Sequence, residues 1–461
     1  MTFSRRDFLA ASVAAMAVPA AARAATVPLP KDADVVVVGA GAAGIAAARR
    51  VLAANRKVVV VEAADRIGGR CWTDNTTFGV PFDRGARWLH AQNTNPLARL
   101  ARSVAIEVYA APQAQKIRIG RRNARAAETE DFLATLVRTN RALGDPNRRA
   151  DVAALEAMPK DTGEWMKTLE FALGPAMAGK DLKDVSALDL SRQDQRDAGS
   201  FSRQGVGALV EKLAEPVPIA LSQPATRIVW GGRELAVETG SGRILTRAVI
   251  VTVSTSVLTS GRIKFAPDLP KRQLDAASRL MLGSYDHIAL ELPNNPLGLQ
   301  RDDVVIEKSE NARTALLLAN IGNTSLCTVD VGGSFGRDLS AQGEPAMVAF
   351  AVEWLTKLYG NDVKAAVKRS AVTRWNASPY TLGAISAASP GAQGARRILA
   401  EPLGSLFFAG EAAHETLWGT VGGAWETGDR AAEAALRRIG ALAPEVKEQP
   451  AAAKKGKRKK Q

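Results

Sequence analysis

Residues Asp32–Thr73 read DADVVVVGAGAAGIAAARRVLAANRKVVVVEAADRIGGRCWT. Four valines, Val35 to Val38, make a short β-branched apolar run, and Gly39, Gly41 and Gly44 follow in the spacing G-x-G-x-x-G before an alanine-rich helical pattern that includes Ala43. The pattern predicts a strand, a tight turn and a helix. Its glycines serve a sharp turn, close approach of backbone to a pyrophosphate, and close packing of helix on strand, with the phosphates at the positive helix N-terminus. A second valine run, Val58 to Val61, ends in Glu62, whose carboxylate suits the hydroxyls of an adenosine ribose. All of this falls within about 30 residues, as a βαβ mononucleotide unit requires.

The 461 residues allow about three domain-sized units, or two large ones, and 46% apolar residues are ample for a core. Of the net charge of +14, residues Lys454–Lys460 supply six and the first 25 residues supply two, leaving +6 for the body. The basic stretch 441–461 therefore reads as a solvated, disordered tail, and no nucleic-acid partner is expected. Residues 1–25 read as an export signal: Ser4-Arg5-Arg6-Asp7-Phe8-Leu9 matches a twin-arginine motif, an apolar run reaches Ala22, and Ala22-Arg23-Ala24 offers a cleavage site. Recognition by the twin-arginine machinery, export in the folded state and a periplasmic location are the expectations. Cys71 and Cys327 are the only cysteines, so neither a disulfide framework nor a zinc cluster is indicated, although the compartment would permit one bridge.

The run E-A-x-x-R-x-G-G-R, containing Glu62, Ala63, Arg66, Gly69 and Arg70, resembles the FAD signature of the flavin amine oxidase family. In that family the glycine pair and Arg70 lie against the FAD pyrophosphate. Phe82-Asp83-Arg84-Gly85-Ala86-Arg87-Trp88-Leu89-His90, followed by Asn95-Pro96, is similar to a segment of the polyamine-oxidase-like branch. There the loop of Gly85 to Trp88 passes beside the isoalloxazine ring, and His90 would line the substrate channel. The stretch from Gly205 through Arg227 and Ile228 to Ser254 resembles the second FAD-binding segment, where a strand backbone meets the adenine. Phe407-Phe408-Ala409-Gly410-Glu411 and Thr420-Val421 complete the resemblance, bringing Glu411 to the ribityl chain and the N-terminus of a helix to the flavin pyrimidine.

Four positions depart from the pattern. His287 stands where the family carries a lysine that holds a water against flavin N5, and an imidazole could also hold one. In the segment Trp375 to Ser386, Ala384 replaces the cysteine that bonds the flavin in monoamine oxidases, so the resemblance implies non-covalent FAD. Ile385 and Thr420 occupy the two aromatic-cage positions, with Trp418 as aromatic surface nearby.

The implied fold class is α/β. A discontinuous Rossmann-like FAD-binding domain is expected from 33–95, 205–265 and 395–440, with a second, α+β substrate domain from 96–204 and 266–394, helical over 98–200. The implied reaction passes a hydride from the carbon beside the nitrogen of a polyamine, secondary or primary amine to flavin N5, with dioxygen or a periplasmic carrier as final acceptor. An amine dehydrogenase and a non-catalytic FAD protein of the envelope are the alternatives.

Overall fold

The four valines of Asp32–Val38 are buried on alternate faces: Val35 and Val37 join one apolar core, Val36 and Val38 another. A strand covered on both faces belongs at the centre of a parallel sheet. In the computed structural model, which describes residues 27–443 apart from 113–114, 146, 148–149, 194–198 and 233, it does. Val58–Val61 pairs parallel on one side and Gly242–Val251 on the other. Ile219–Ala220 extends the sheet beyond Val58–Val61, and Leu406–Phe408 pairs parallel to the end of Gly242–Val251. Leu235–Thr239 and Ala225–Val229 add antiparallel strands, the former through the expected hairpin into Gly242, and Lys264–Ala266 closes that edge. The strands come from three separate stretches of chain. The export motif and the basic run both lie outside the described residues, apart from 441–443.

Two helices cover one face of this sheet. Ala42–Ala53 is almost wholly small residues on its buried side, and Val421–Arg438 crosses it so closely that a Cβ on Gly428 would lie 2.0 Å from the carbonyl oxygen of Ala43. Small side chains permit this approach.

A second sheet has seven strands in the order Arg369–Val372, Tyr285–Glu291, Leu326–Gly332, Leu316–Leu318, Val304–Glu307, Gln115–Ile119 and Arg122–Asn123. Helix Glu344–Tyr359 buries Phe350, Trp354 and Leu358 in the core that the sheet shares with Ile288, Leu290 and Val329. Helices between 126 and 191 form a further core with Ile117 and Ile306. Residues 98–200 are therefore not purely helical: Val108–Ala110 and the strands Gln115–Ile119 and Arg122–Asn123 lie within them. Charged, half-exposed sequences such as QKIRI carry too little apolar alternation to announce a strand. Cys71 and Cys327 are both free and buried. Among the described residues no helix is long and apolar enough to cross a membrane, and no group of His, Cys, Asp and Glu is arranged to hold a metal ion.

Candidate active site

The turn after the first strand is built for a ligand on one side only. A Cβ on Gly44 would lie 1.9 Å from the carbonyl oxygen of Gly39, so this glycine serves helix-on-strand packing. A Cβ on Gly39 would meet Thr252 Oγ1 at 2.6 Å. Gly41, the uncapped N-cap of Ala42–Ala53, has nothing closer to such a Cβ than 3.8 Å, and its helix carries no acid in the first turn. Open space before unpaired N–H groups is what a phosphate needs. Gly41→Ala should therefore hold unfolding free energy within about 1 kcal/mol of wild type while sharply weakening flavin binding. Gly44→Ala should cost about 3 kcal/mol of fold stability itself. Denaturant unfolding beside a flavin titration separates the two.

At the end of Val58–Val61, Glu62 accepts the N–H of Ala40 at 2.6 Å and of Ala64 at 2.8 Å, and burial pushes its carboxyl up. Ala63 follows it on the partly buried rim. Arg66 donates to the carbonyl of Gly69 at 2.8 Å and lies 4.5 Å over Trp72, bracing the loop whose Gly69 sits against Gly41. Arg70 donates through Nη1 to the carbonyl of Ala384 at 2.5 Å and to Glu411 Oε1 at 2.8 Å.

The loop Arg84–Ala86 is pinned on every side. Arg84 N–H donates to Trp72 O, Trp375 Nε1 donates to Arg84 O at 3.0 Å, and Ala86 N–H donates to Arg70 O. A Cβ on Gly85 would lie 1.9 Å from Arg70 O. His287 supplies the last tie, its Nε2 donating to Gly85 O at 3.0 Å. Its Nδ1 lies 2.7 Å from Asp330 Oδ1 and 2.9 Å from Arg87 Nη2, and Tyr285 donates to Asp330 Oδ2. Burial alone would raise the Asp330 carboxyl, but His287 and Arg87 outweigh it and hold it down at about 2. The sequence gives His287 a water-holding role; here both ring nitrogens are already taken by protein groups. The strand Tyr285–Glu291 brings His287, itself buried, to the Gly85 carbonyl.

Glu411, buried at the end of Leu406–Phe408, accepts Arg70 Nη1, Ser386 N–H, Ser386 Oγ at 2.6 Å and Gly419 N–H at 2.8 Å. Burial would raise its carboxyl, yet Arg70 together with Ser386 and Arg396 brings it below the ordinary range. Four donors use the acceptor capacity of a carboxylate, so Glu411 anchors Arg70 and the neighbouring loop and has no lone pair left for a ribityl hydroxyl. Ser386 in turn meets Arg396, which forms a two-pronged pair with Asp189 at 2.8 Å; these last two side chains are 1% and 2% exposed. Gly410 N–H donates to Thr427 Oγ1 on the last helix.

The remaining expected residues are placed as follows. Thr420 is the N-cap of Val421–Arg438, accepting Gly423 N–H at 3.0 Å, with Val421 as the first helical residue. That helix too has no acid in its first turn. Ile385 is partly buried, and its carbonyl accepts Gly283 N–H. Trp418 is 0% exposed and stacks under Arg396 at 4.6 Å; it is core, not site surface. His90 is partly buried and stacked on Trp88, which also packs on Phe201. Arg227 and Ile228 lie within the strand Ala225–Val229. Both are laddered to strands on either side, after an irregularity that begins at Ala225. The segment that reaches Glu62 is Ser222–Gln223, whose Gln223 N–H donates to Glu62 O. Lys180, unremarked in the sequence, donates to the carbonyl of Ala387 behind Ile385, and burial pushes its ammonium down to about 8.

Residues 42–436 match the family model described as flavin containing amine oxidoreductase. The chain belongs to that family. Membership implies a flavin cofactor, and the open turn at Gly41, the acid at Glu62 and the anchored Arg70 fit one. Among relatives of this family, Protein FLOWERING LOCUS D of Arabidopsis thaliana is 30% identical over 434 residues, covering 87% of this chain but only 55% of that protein. Polyamine oxidase 5 of Oryza sativa subsp. japonica is 28% identical over 440 residues, 88% of each. The chain thus spans about half of the first relative and most of the second. The solved structure of cyclohexylamine oxidase from Brevibacterium oxydans IH-35A shares the two-domain fold, with a TM-score of 0.76 at 21% identity over 89% of this chain and 100% of that one.

Proposed function

We propose that the protein oxidises the carbon–nitrogen bond of an amine with non-covalently held FAD, the first sheet holding the cofactor and the second facing the substrate. The observation that carries this reading is the pairing of an open glycine turn at Gly41 with Arg70, an arginine fixed from behind by Glu411 and with donors to spare. Bound there, FAD would supply the acceptor for the hydride leaving the carbon beside the nitrogen; water then hydrolyses the imine to a carbonyl compound and an amine or ammonia. Gly41 and the helix behind it would hold the pyrophosphate, Glu62 the ribose, and the pinned Gly85 loop one face of the ring. Protein groups orient the carbon and exclude water; no strong acid or base is required.

The substrate nitrogen must carry a lone pair. Glu411 and Asp330 are each tied to guanidinium groups, so neither is left as a counter-ion that would hold the amine as ammonium. Similarity to polyamine oxidase 5 and cyclohexylamine oxidase supports amines from polyamines to bulky primary or secondary amines. The twin-arginine motif supports export in the folded state to the periplasm. One observation favours a dehydrogenase over an oxidase: His287 has no nitrogen free to hold a water at the flavin.

The test is anaerobic. Flavin-loaded protein is mixed with primary, secondary and polyamine substrates, the flavin band is followed, and air is then admitted. Bleaching by one amine class supports the proposal, and the rate of recovery in air separates oxidase from dehydrogenase. No bleaching by any amine overturns it.

A further inference from the structure

His414 ends the short 3₁₀ turn Glu411–Ala413 and opens the loop 415–419 that leads to the N-cap Thr420. Its ring is partly buried, and its two nitrogens do different things. Nδ1 accepts the backbone N–H of Thr416 at 3.2 Å and of Leu417 at 2.9 Å. A ring nitrogen that accepts carries no proton, so the proton sits on Nε2, which donates to Glu426 Oε2 at 3.1 Å on the last helix. A single tautomer therefore ties two successive loop amides to the second turn of Val421–Arg438.

The far end of the loop is held by other side chains. Gly419 N–H donates to Glu411 Oε2 at 2.8 Å, and Thr420 Oγ1 donates to Leu417 O at 2.6 Å. The loop has no helix or strand of its own; these bonds from 411, 414 and 420, with the buried ring of Trp418 under Arg396, set its shape. Backbone amides that lose such an acceptor must turn to water or move.

We infer that His414 is a positioning residue: it fixes loop 415–419 so that the start of Val421–Arg438 and the Glu411–Arg70 pair face the cofactor in one arrangement. The cofactor clause rests on the flavin reading above; the holding of the loop rests on the contacts alone.

The test compares His414→Phe and His414→Asn in the full chain. Phenylalanine fills the volume but accepts nothing, whereas asparagine Oδ1 branches at the same carbon as Nδ1 and can take both amides. In His414→Phe, amide exchange at Thr416 and Leu417 should quicken about tenfold or more. FAD should bind about tenfold more weakly, and the visible circular dichroism of bound flavin should change. His414→Asn, which keeps the acceptor for both amides but does not reach Glu426, should restore the exchange and recover the other two in part. Wild-type exchange and flavin spectrum in His414→Phe would overturn the inference, as would an asparagine variant no better than phenylalanine. If wild-type protein takes up no FAD, the functional reading falls, and the exchange experiment still decides whether His414 holds the loop.

Discussion

Asp330→Ala is expected to destabilise the folded protein by roughly 3–5 kcal/mol, the range for removing one member of a buried charged group. Asp330 is 3% exposed, and it is the acid shared by His287, Arg87 and the hydroxyl of Tyr285. Its loss strands a guanidinium that is only 6% exposed, with Thr328 Oγ1 and the imidazole as remaining partners. The effect should reach the cofactor, because His287 holds the Gly85 carbonyl. Denaturant unfolding measures the first consequence and a flavin titration the second. Asp330→Asn keeps the shape and one acceptor and should fall between alanine and wild type. The pH dependence has a definite sign. A carboxyl depressed from 3.8 to about 2 contributes its full stabilisation above the ordinary carboxylate range and loses it as pH falls through about 2. The wild-type advantage over Asp330→Ala should therefore persist at pH 5 and shrink only in strong acid.

Glu411→Ala should lower flavin affinity roughly 100-fold, since several charge-assisted hydrogen bonds to one carboxylate vanish together. Arg70 loses the group that aims it, Gly419 N–H loses its acceptor, and Ser386 loses its partner beside Arg396. Glu411→Gln separates charge from hydrogen bonding: it retains one acceptor oxygen for Gly419 or Arg70, and its affinity should recover in part. Equilibrium titration of the stripped protein with FAD is the measurement. Affinity unchanged in both variants would show that Arg70 is held well enough by Ala384 O alone.

What the sequence made legible was local. Within Asp32–Thr73 the turn, the helix start and the acid lie a few residues apart, so spacing alone states their geometry. The polar networks were hidden because their members are remote: Arg396 and Asp189 are 207 positions apart, and Asp330 lies 43 beyond His287. Nothing in the spacing marks such pairs. His90 and His287 stood out in the motifs, but their partners decided what they do. His287 spends both nitrogens on protein, and His414 reveals its part only through two backbone amides.

The crossing of Gly428 over Ala43 carries a consequence for biogenesis. The helix that opens the nucleotide-binding unit emerges from the ribosome early, yet its covering partner and the strand Leu406–Phe408 are among the last described parts to be made. Until residues 406–438 have been made, the flank of Ala42–Ala53 that Val421–Arg438 covers and the edge of Gly242–Val251 that Leu406–Phe408 pairs stay uncovered, so the nucleotide-binding unit cannot close before that stretch is synthesised.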